Sequence, residues 1–516
     1  MTNIDFDVII AGCGPTGATF ANYLGKSNLK ILIFDKESEI IDFPRAVHID
    51  EDVIRIFQEL ELYEDMMENS IKSFENYKLV TKQDKTLFEF QPNSSVSEDI
   101  PSCNWILQPE IEKHLRKGFS QYSNVTFLNN TEFTDFKQNE NFVTVNLVHN
   151  ESGTLFNLTT KYLIGADGAN SFIRQKLNIP LINLGKSKSW MVMDTEYQGD
   201  AHFSEDHKQF CIPEQPITYV NGVKNHFRWE FMLRKENEML SEEDLQKKML
   251  VYLEKKYPVK DFKIIRKKKY TFHSLIAKKW RVQNIFLAGD SAHQMPPFLG
   301  QGMCSGIKDA KNLSWKISVA CNNTSQNSDL LLDTYFTERK PQVKKIIKLA
   351  TIFGGFIQYS NPFFYRIRDS ILRLINILPS TPVDKLIDKH LYSIPVNSGI
   401  KKNKLSGRRV PQPIVLHNDH YVYLDKVIKD TWAIIYRNLS LDEISPNLFN
   451  KIKLVKDHPN KNEISSIIMN NWMDHNNIDF AIIRPDKFIF TAGKNDTIEE
   501  VLKYSRQYLK ELYCYN

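Results

Sequence analysis

The stretch DVIIAGCGPTGATFANYL, residues 7–24, decides the fold. Asp7 to Ala11 reads as a buried parallel strand, and a helix carrying Ala18, Phe20, Ala21 and Leu24 begins shortly after it. Between them stand Gly12, Gly14 and Gly17 in the order GxGxxG. Gly12 suits the tight turn, Gly14 the close approach of a pyrophosphate, and Gly17 the packing of helix on strand. A second strand, Lys30 to Phe34, ends at Asp35, where a carboxylate ~20 residues past the glycines accepts hydrogen bonds from a ribose. Lys36 follows it. Strand, glycines, helix, strand and acid together define a dinucleotide site of the Rossmann kind. FAD and NAD share this fingerprint, so it leaves the choice between them open.

Two later segments end in the same way. KYLIGADGANSFIR (161–174) is an apolar strand stopping at Asp167-Gly168. NIFLAGDSAHQMPPFLGQGMCSGIKDAKNLSW (284–315) is a strand stopping at Gly289-Asp290, then a Pro/Gly-rich crossing into a helix with Ile307, Ala310, Leu313 and Trp315 on its apolar side. Strand ends of open parallel sheets are where ligands gather. Gly300, Gly302 and Gly306 let the backbone approach a flat polar group, and the amides opening such a helix favour negative charge on a bound ring. Taken alone, each loop is also the pattern of a plain turn. Arg45, just beyond the acidic strand end in a loop stiffened by Pro44, is placed to reach phosphate or ring. Gln108 opens the helix QPEIEKHLRKGF (108–119), either as a cap or as a cofactor contact.

At 516 residues the chain exceeds one compact core, and two or three domains are expected. Its 42% hydrophobic and 25% charged residues are ordinary for a globular protein. A net charge of +5 on so large a surface implies no nucleic-acid partner, and the basic run Arg266 to Lys269 reads as a solvated strand edge. Six cysteines (Cys13, Cys103, Cys211, Cys304, Cys321 and Cys514) show neither CxxC nor zinc spacing, which argues for a reducing compartment, no disulfide framework and no metal site. The first residues are too polar for a signal peptide, and no run of ~18 apolar residues exists to span a bilayer. A cytoplasmic enzyme without a transmembrane segment is the expectation.

Trp190 to Tyr197, Gln209 to Ile212, Ile217 to Val220 and His226 to Leu233 read as strands of a sheet with one covered face. In HFRWEFML (226–233), Phe227, Trp229 and Phe231 point one way and His226, Arg228 and Glu230 the other. Lys316 to Leu391 is helical, amphipathic and aromatic, including Phe363, Phe364 and Leu372. Core or interface is its expected use, with a lid, a dimer face or a membrane-surface helix as alternatives. Beyond Ser406 the runs Tyr421 to Leu424, Trp432 to Tyr436, Ile452 to Val455, Phe480 to Ile483 and Lys487 to Thr491 alternate as strands, with a closing helix from Thr497 to Leu512.

GCGPTG with Asp35, GADGANSFIR and LAGDSAHQMPPFLGQGMCSGIKDAKNLSWK, in this order, resemble the three fingerprints of the FAD-dependent aromatic hydroxylases, the single-component group A flavoprotein monooxygenases. DFPRAVHID, QFCIPEQPITYV, HFRWEFML, YTFHSLIAKKWR and GRRVPQP are most similar to the 3-(3-hydroxyphenyl)propionate hydroxylase type. The resemblance implies an α/β fold: an FAD-binding Rossmann-like domain of the GR2 type (1–180 and 281–400, the latter including a helical region), an inserted β-sheet substrate domain (181–280), and a C-terminal thioredoxin-like domain (408–516) lacking CxxC. It implies FAD as cofactor, NADH or NADPH as cosubstrate, and a small aromatic substrate and O2 as partners, with a homodimer in view.

Carried over residue by residue, the FAD contacts are Gly12, Gly14, Pro15, Thr16, Gly17, Asp35, Lys36, Arg45, Gln108, Asp167, Gly168, Gly289, Asp290, Pro296, Gly300, Gly302 and Met303. Arg45 and Pro296 are the catalytic residues the resemblance implies. The family uses its sheet as the ceiling of the substrate cavity, which makes Cys211, Tyr219, His226 and Arg228 candidate substrate contacts beside their reading as ordinary sheet residues. The implied reaction is hydroxylation of a phenolic ring through a flavin C4a-hydroperoxide. It requires a base for the phenol, which spacing does not identify; His293 lies inside the flavin motif and reads as structural. A tailoring or inactivating monooxygenase acting on a polyketide or antibiotic, and a flavoprotein that only reduces or cyclises its substrate, are the alternatives. A non-catalytic scaffold would be expected to lose the glycines or Asp290, which stand intact.

Overall fold

The computed structural model describes residues 4–73, 76–90, 102–199, 203–257, 259–322, 328–377, 404–437, 449–455, 463–503 and 505. Val8, Ile9 and Ile10 are completely buried, which is the signature of a central parallel strand covered on both faces. Across this sheet the order is Val125–Leu128, Ile31–Phe34, Phe6–Ala11, Leu155–Gly165 and Ile285–Leu287, all parallel, with Arg281–Val282 antiparallel at one edge. Register then does the positioning. Ala11 pairs with Phe34 and with Gly165, and Gly165 pairs with Leu287, so four strands end at one level. The loops that follow, with Gly12, Asp35, Asp167 and Gly289-Asp290, therefore emerge side by side. The helix Pro15–Gly25 starts directly on Gly14 with proline in its first turn, as a fixed φ allows, and packs on the long helix Gln301–Asn322.

A second sheet stands over these loops in the order Phe262–Phe272, Lys188–Tyr197, His226–Met232, Ile217–Asn221, His207–Phe210, Tyr77–Val80 and Thr86–Phe90. Its last two strands come from upstream of the stretch expected to hold the sheet. Tyr219, Phe227, Trp229 and Phe231 cover one face together with Leu245, Met249 and Leu253 of the helix Glu242–Glu254. Arg228 and Glu230 look the other way, toward the first sheet's loops.

The helix Ser328–Ile357 runs without a break through Pro341. On the next helix, Pro362–Ile377, the apolar stripe departs from the expectation of burial: Phe363, Phe364, Leu374 and Ile377 are exposed, while Arg368 and Leu372 are buried. Arg368 is turned inward because its guanidinium donates to the carbonyls of Ile357 and Cys211 at 2.7 and 2.8 Å. No helix among the described residues is long and apolar enough to cross a membrane.

The C-terminal unit forms its own seven-stranded sheet with a separate core that includes Val415, Ile435, Ile452 and Met473. Besides the expected strands it contains Ile414–His417, Glu463–Ser465 and the helix Ile467–His475. Half of the expected closing helix, and Cys514, lie outside the described residues. This unit is docked through buried charge. Arg55 donates to both oxygens of Asp425 and, at 2.8 Å, to the carbonyl of Val410. Arg484 pairs with Glu338 and Asp486 at 2.7 Å each, and Lys316 also reaches Glu338 at 2.7 Å.

Burial acts to raise the Asp425 pKa, but the Arg55 charge and its hydrogen bonds overcome this and hold the carboxyl well below the usual carboxylate range. A depressed folded pKa stabilises at neutral pH, and that contribution is lost as pH falls through it. We expect Asp425→Ala to lower stability at pH 7 by about 3–5 kcal/mol, the cost of stranding a buried partner charge. The deficit against wild type, measured by urea unfolding, should shrink as the solution is made more acid.

Candidate active site

A cavity of about 1500 Å³ opens between the strand-end loops and the second sheet. Its lower wall is built by backbone contact. A β-carbon on Gly12, whose φ is +97°, would sit 2.4 Å from the carbonyl oxygen of Ala166, and one on Gly17 would sit 1.9 Å from that of Gly12. Thr16 fills the space between Gly289 and Gly306, where added β-carbons would meet its hydroxyl at 2.7 and 2.2 Å. Arg174 ties the second loop to the third, donating to the carbonyls of Ala169 and Ser291 at 2.9 and 3.0 Å. Asp35 accepts the amides of Cys13 and Glu37 at 2.6 and 2.9 Å, and Asp167 accepts that of Ile173 at 3.1 Å. Gly14 differs from its neighbours: a β-carbon there meets nothing within 4 Å, and the residue faces the cavity.

The third loop is organised from behind. Asp309 accepts from the amide of Gly289 at 3.1 Å, from His293 Nε2 at 2.7 Å and from Arg339 Nε at 2.8 Å. Burial works against the ionised carboxylate, but His293 and Arg339 keep its pKa low. His293 packs against Trp280 away from the cavity wall, so its role here is structural. Asp290 projects into the cavity and makes no hydrogen bond to a described residue; enclosure by protein raises its pKa, with His293 and Arg45 opposing. Pro296, Gly300, Gly302 and Met303 continue the wall. Gly300 takes a left-handed φ of +60° directly against His48, whose ring Nδ1 lies 3.4 Å from its carbonyl oxygen.

Arg45 is held by its own backbone. The side-chain oxygen of Gln108 accepts from the amides of Arg45 and Ala46 at 3.0 and 2.5 Å, and Gln108 Nε2 donates to Glu112 at 2.7 Å. Glu112 also pairs with the Arg45 guanidinium at 3.0 Å. Gln108 lines the cavity, and most of its amide is spent fixing this loop. From the sheet above, Arg228 reaches down to the carbonyls of Pro44 and, at 3.0 Å, Arg45, while Asp194 holds its other edge at 2.7 and 3.1 Å. Burial penalises the Asp194 carboxylate, yet Arg228 and His226 hold it down at about 2.

Among the cofactor candidates only Gly17 and Gly289 stand behind the wall; the rest line it. The substrate candidates fare differently. Tyr219 pairs across the strands with Trp229, so it shares the covered face, its hydroxyl donating to the carbonyl of Ser204. His226 is turned onto Asp194 at 2.9 Å, and Cys211 is packed beside Leu79 and Leu372. Arg228 reaches the cavity, but as the tether of the Arg45 loop. Tyr77, Trp105 and His207, which the sequence did not single out, complete the upper wall with Glu230 and with Arg266, which is not on a solvated edge as expected but is turned inward to donate to the carbonyl of Pro44 at 3.1 Å. His207 lies between Tyr77 and Trp105 with ring centroids 4.6 and 4.9 Å away, and burial brings its pKa down to about 3.

Two observations test the fit of FAD to these residues. Open space at Gly14 leaves room for a diphosphate against the helix amides, and Asp290, exposed on the cavity wall with no donor among the described residues, offers its carboxylate to the hydroxyls of a ribityl chain. The residues fit FAD. In keeping with that, residues 5–350 match the family model described as "FAD binding domain", and the chain belongs to that family.

Among relatives, it is 28% identical over 535 residues to the 3-(3-hydroxy-phenyl)propionate/3-hydroxycinnamic acid hydroxylase of Escherichia coli (strain SMS-3-5 / SECEC), covering 97% of this chain and 94% of the relative. The enzyme of that name from Shigella sonnei (strain Ss046) matches to the same extent. Of solved structures, the flavin-dependent monooxygenase PieE in complex with FAD and substrate superposes with a TM-score of 0.80 at 16% identity, over 99% of this chain and 100% of that one. OxyS anhydrotetracycline hydroxylase from Streptomyces rimosus gives 0.78 at 19%, over 98% and 99%. The chain has their fold.

Gly14→Val puts side-chain atoms where the protein itself has none, so folding should be spared and FAD binding lost. An overpacking penalty of about 1–3 kcal/mol sets a fall of roughly 5- to 150-fold in affinity by flavin titration. Asp290→Ala removes a charged acceptor and is expected to weaken FAD by about 1.5–3 kcal/mol. Full flavin retention by the purified variant would contradict that role.

Proposed function

We propose that this protein is an FAD-dependent monooxygenase that hydroxylates a phenolic aromatic compound, such as a hydroxyphenylpropionate-like acid, with NADH or NADPH and O2 as cosubstrates in a cytoplasmic setting. The observation that carries the reading is the size and continuity of the cavity. At about 1500 Å³ it runs from the glycine loop to the second sheet, beyond the roughly 300–1,000 Å³ of a single-ligand pocket. It has room for a dinucleotide and a ring. The names of the hydroxylases to which the chain is similar over nearly its whole length support the substrate class.

In this reading residues 1–180 and 281–400 hold the cofactor, 181–280 roof the substrate together with strands from 77–90, and 408–516 form a docked unit. The chemistry that a bound FAD supplies is acceptance of a hydride and activation of O2 for oxygen transfer to an electron-rich ring. The chain's own residues do the rest. The first residues of the helix Gln301–Asn322 line the cavity, and a helix N-terminus favours negative charge on a ring system bound there. Arg45 adds a cation from a loop fixed by Gln108 and Arg228. Tyr77, His207 and Trp105 give a flat wall for an aromatic substrate, and Phe298, Phe353 and Phe356 help to keep water out.

Simple phenolic acids and polycyclic phenols should be screened for stimulation of NAD(P)H oxidation, with oxygen uptake and product mass. The expected result is substrate-dependent oxygen uptake and a product carrying one added oxygen atom. Stimulation by polycyclic phenols alone would favour the tailoring class, and reduction without an oxygenated product would overturn the proposal.

A further inference from the structure

Glu230 is a buried carboxylate that the fold leaves without a donor. It sits on the strand His226–Met232 on the same side as Arg228, is 8% exposed, and lines the cavity. Among the described residues no hydrogen bond reaches its oxygens, and the nearest cation is Arg228 Nη1 at 3.8 Å. Arg228 is committed to Asp194 and to the carbonyls of Pro44 and Arg45. Across the neighbouring strands stand Val192, which has nothing to donate, and Thr218, whose hydroxyl is given to Gln209 at 2.8 Å. A carboxylate in this position is costly unless a donor is supplied, and the direction left open is the cavity.

We propose that Glu230 receives the hydroxyl of the aromatic substrate and takes its proton. The phenolic O–H bond breaks, its electron pair stays on oxygen as phenolate, and the proton forms an O–H bond on the carboxylate. The proton returns to a product oxygen before release, so the protein keeps none. This rests on the function proposed above and supplies the base that spacing in the sequence did not identify.

The surroundings suit the task. Burial raises the Glu230 pKa, the Asp194 carboxylate adds to this, and Arg228 opposes it. That direction brings a carboxyl toward the working range of a base. Tyr77, His207 and Arg266 on this wall do not compete: burial keeps Tyr77 protonated, its pKa pushed far up, keeps His207 neutral, at about 3, and brings Arg266 down only to about 10, so it stays a cation held on the carbonyl of Pro44. The carboxylate also repels an anionic group at this end, so an acidic substrate must present its hydroxyl here and its own carboxylate elsewhere.

The test uses Glu230→Gln in the FAD-loaded protein, with a nitro-substituted phenol whose phenolate absorbs visible light. Wild type should bind the probe as its coloured phenolate at a pH below the probe's own pKa. In the variant the ionisation of bound probe should move up by about one pH unit or more, a tenfold change or larger, and the acid limb of the kcat profile should move with it. Glu230→Asp should restore part of the shift, and it replaces Glu230→Gln if the latter fails to take up FAD. Unchanged ionisation and an unchanged pH profile in the variants would overturn the assignment while leaving the hydroxylase reading intact. A wild-type protein that neither perturbs the probe nor oxidises NAD(P)H with any phenol would defeat both.

Discussion

No β-carbon fits at Gly12, Gly17, Gly289 or Gly306, where the loops after the parallel strands meet. Gly12 lies against the backbone of Ala166, Gly17 against that of Gly12, and Thr16 is wedged between Gly289 and Gly306. The contacts of Gly12 with Ala166 and of Thr16 with Gly289 and Gly306 join pieces of chain separated by more than a hundred residues, and they exist because four strands stop at one level of the sheet. Everything that faces the cavity from below inherits its position from this packing: the Asp35 carboxylate on the amide of Cys13, the second-loop Asp167, and the unpaired Asp290. A side chain at Gly12 or Gly17 would push the loops apart.

The upper wall is registered to the lower one by the guanidiniums of Arg228 and Arg266. Arg228 is gripped by Asp194 within its own sheet and donates to two consecutive carbonyls of the loop that presents Arg45. The grip is strong because the carboxylate is kept ionised in a buried place, where charge-assisted bonds gain strength. Arg266 adds a bond to Pro44 at 3.1 Å and lies over the ring of Phe43 at 4.0 Å. Roof and cofactor loop are thereby tied to one another. Glu230, two residues along from Arg228, is carried by the same strand into the space between them.

The sequence revealed the lower wall well and the upper wall poorly, for a physical reason. Glycines at strand ends are constrained by backbone sterics, which act locally and leave a spacing that can be read. A sheet-roofed cavity depends on which residues face each other across strands, and that register is fixed by tertiary packing. The alternation in HFRWEFML was legible, and it put Arg228 and Glu230 on one side. Tyr219 could not be placed until its pairing with Trp229 was known, because cross-strand partners share a face. His207 and Tyr77 meet through a parallel pairing between segments 130 residues apart, which no local pattern announces. The C-terminal strands were visible as alternating runs, whereas the buried pairs docking that unit, such as Arg55 with Asp425, left no trace in spacing.

The account stands on one prosthetic group being clasped by three separate loops. Its most direct test is the visible absorption spectrum of the purified protein, with the cofactor released by denaturation and quantified. Flavin absorption, and FAD recovered at about one per chain, is the predicted result. A colourless protein that takes up no FAD when it is supplied would contradict it.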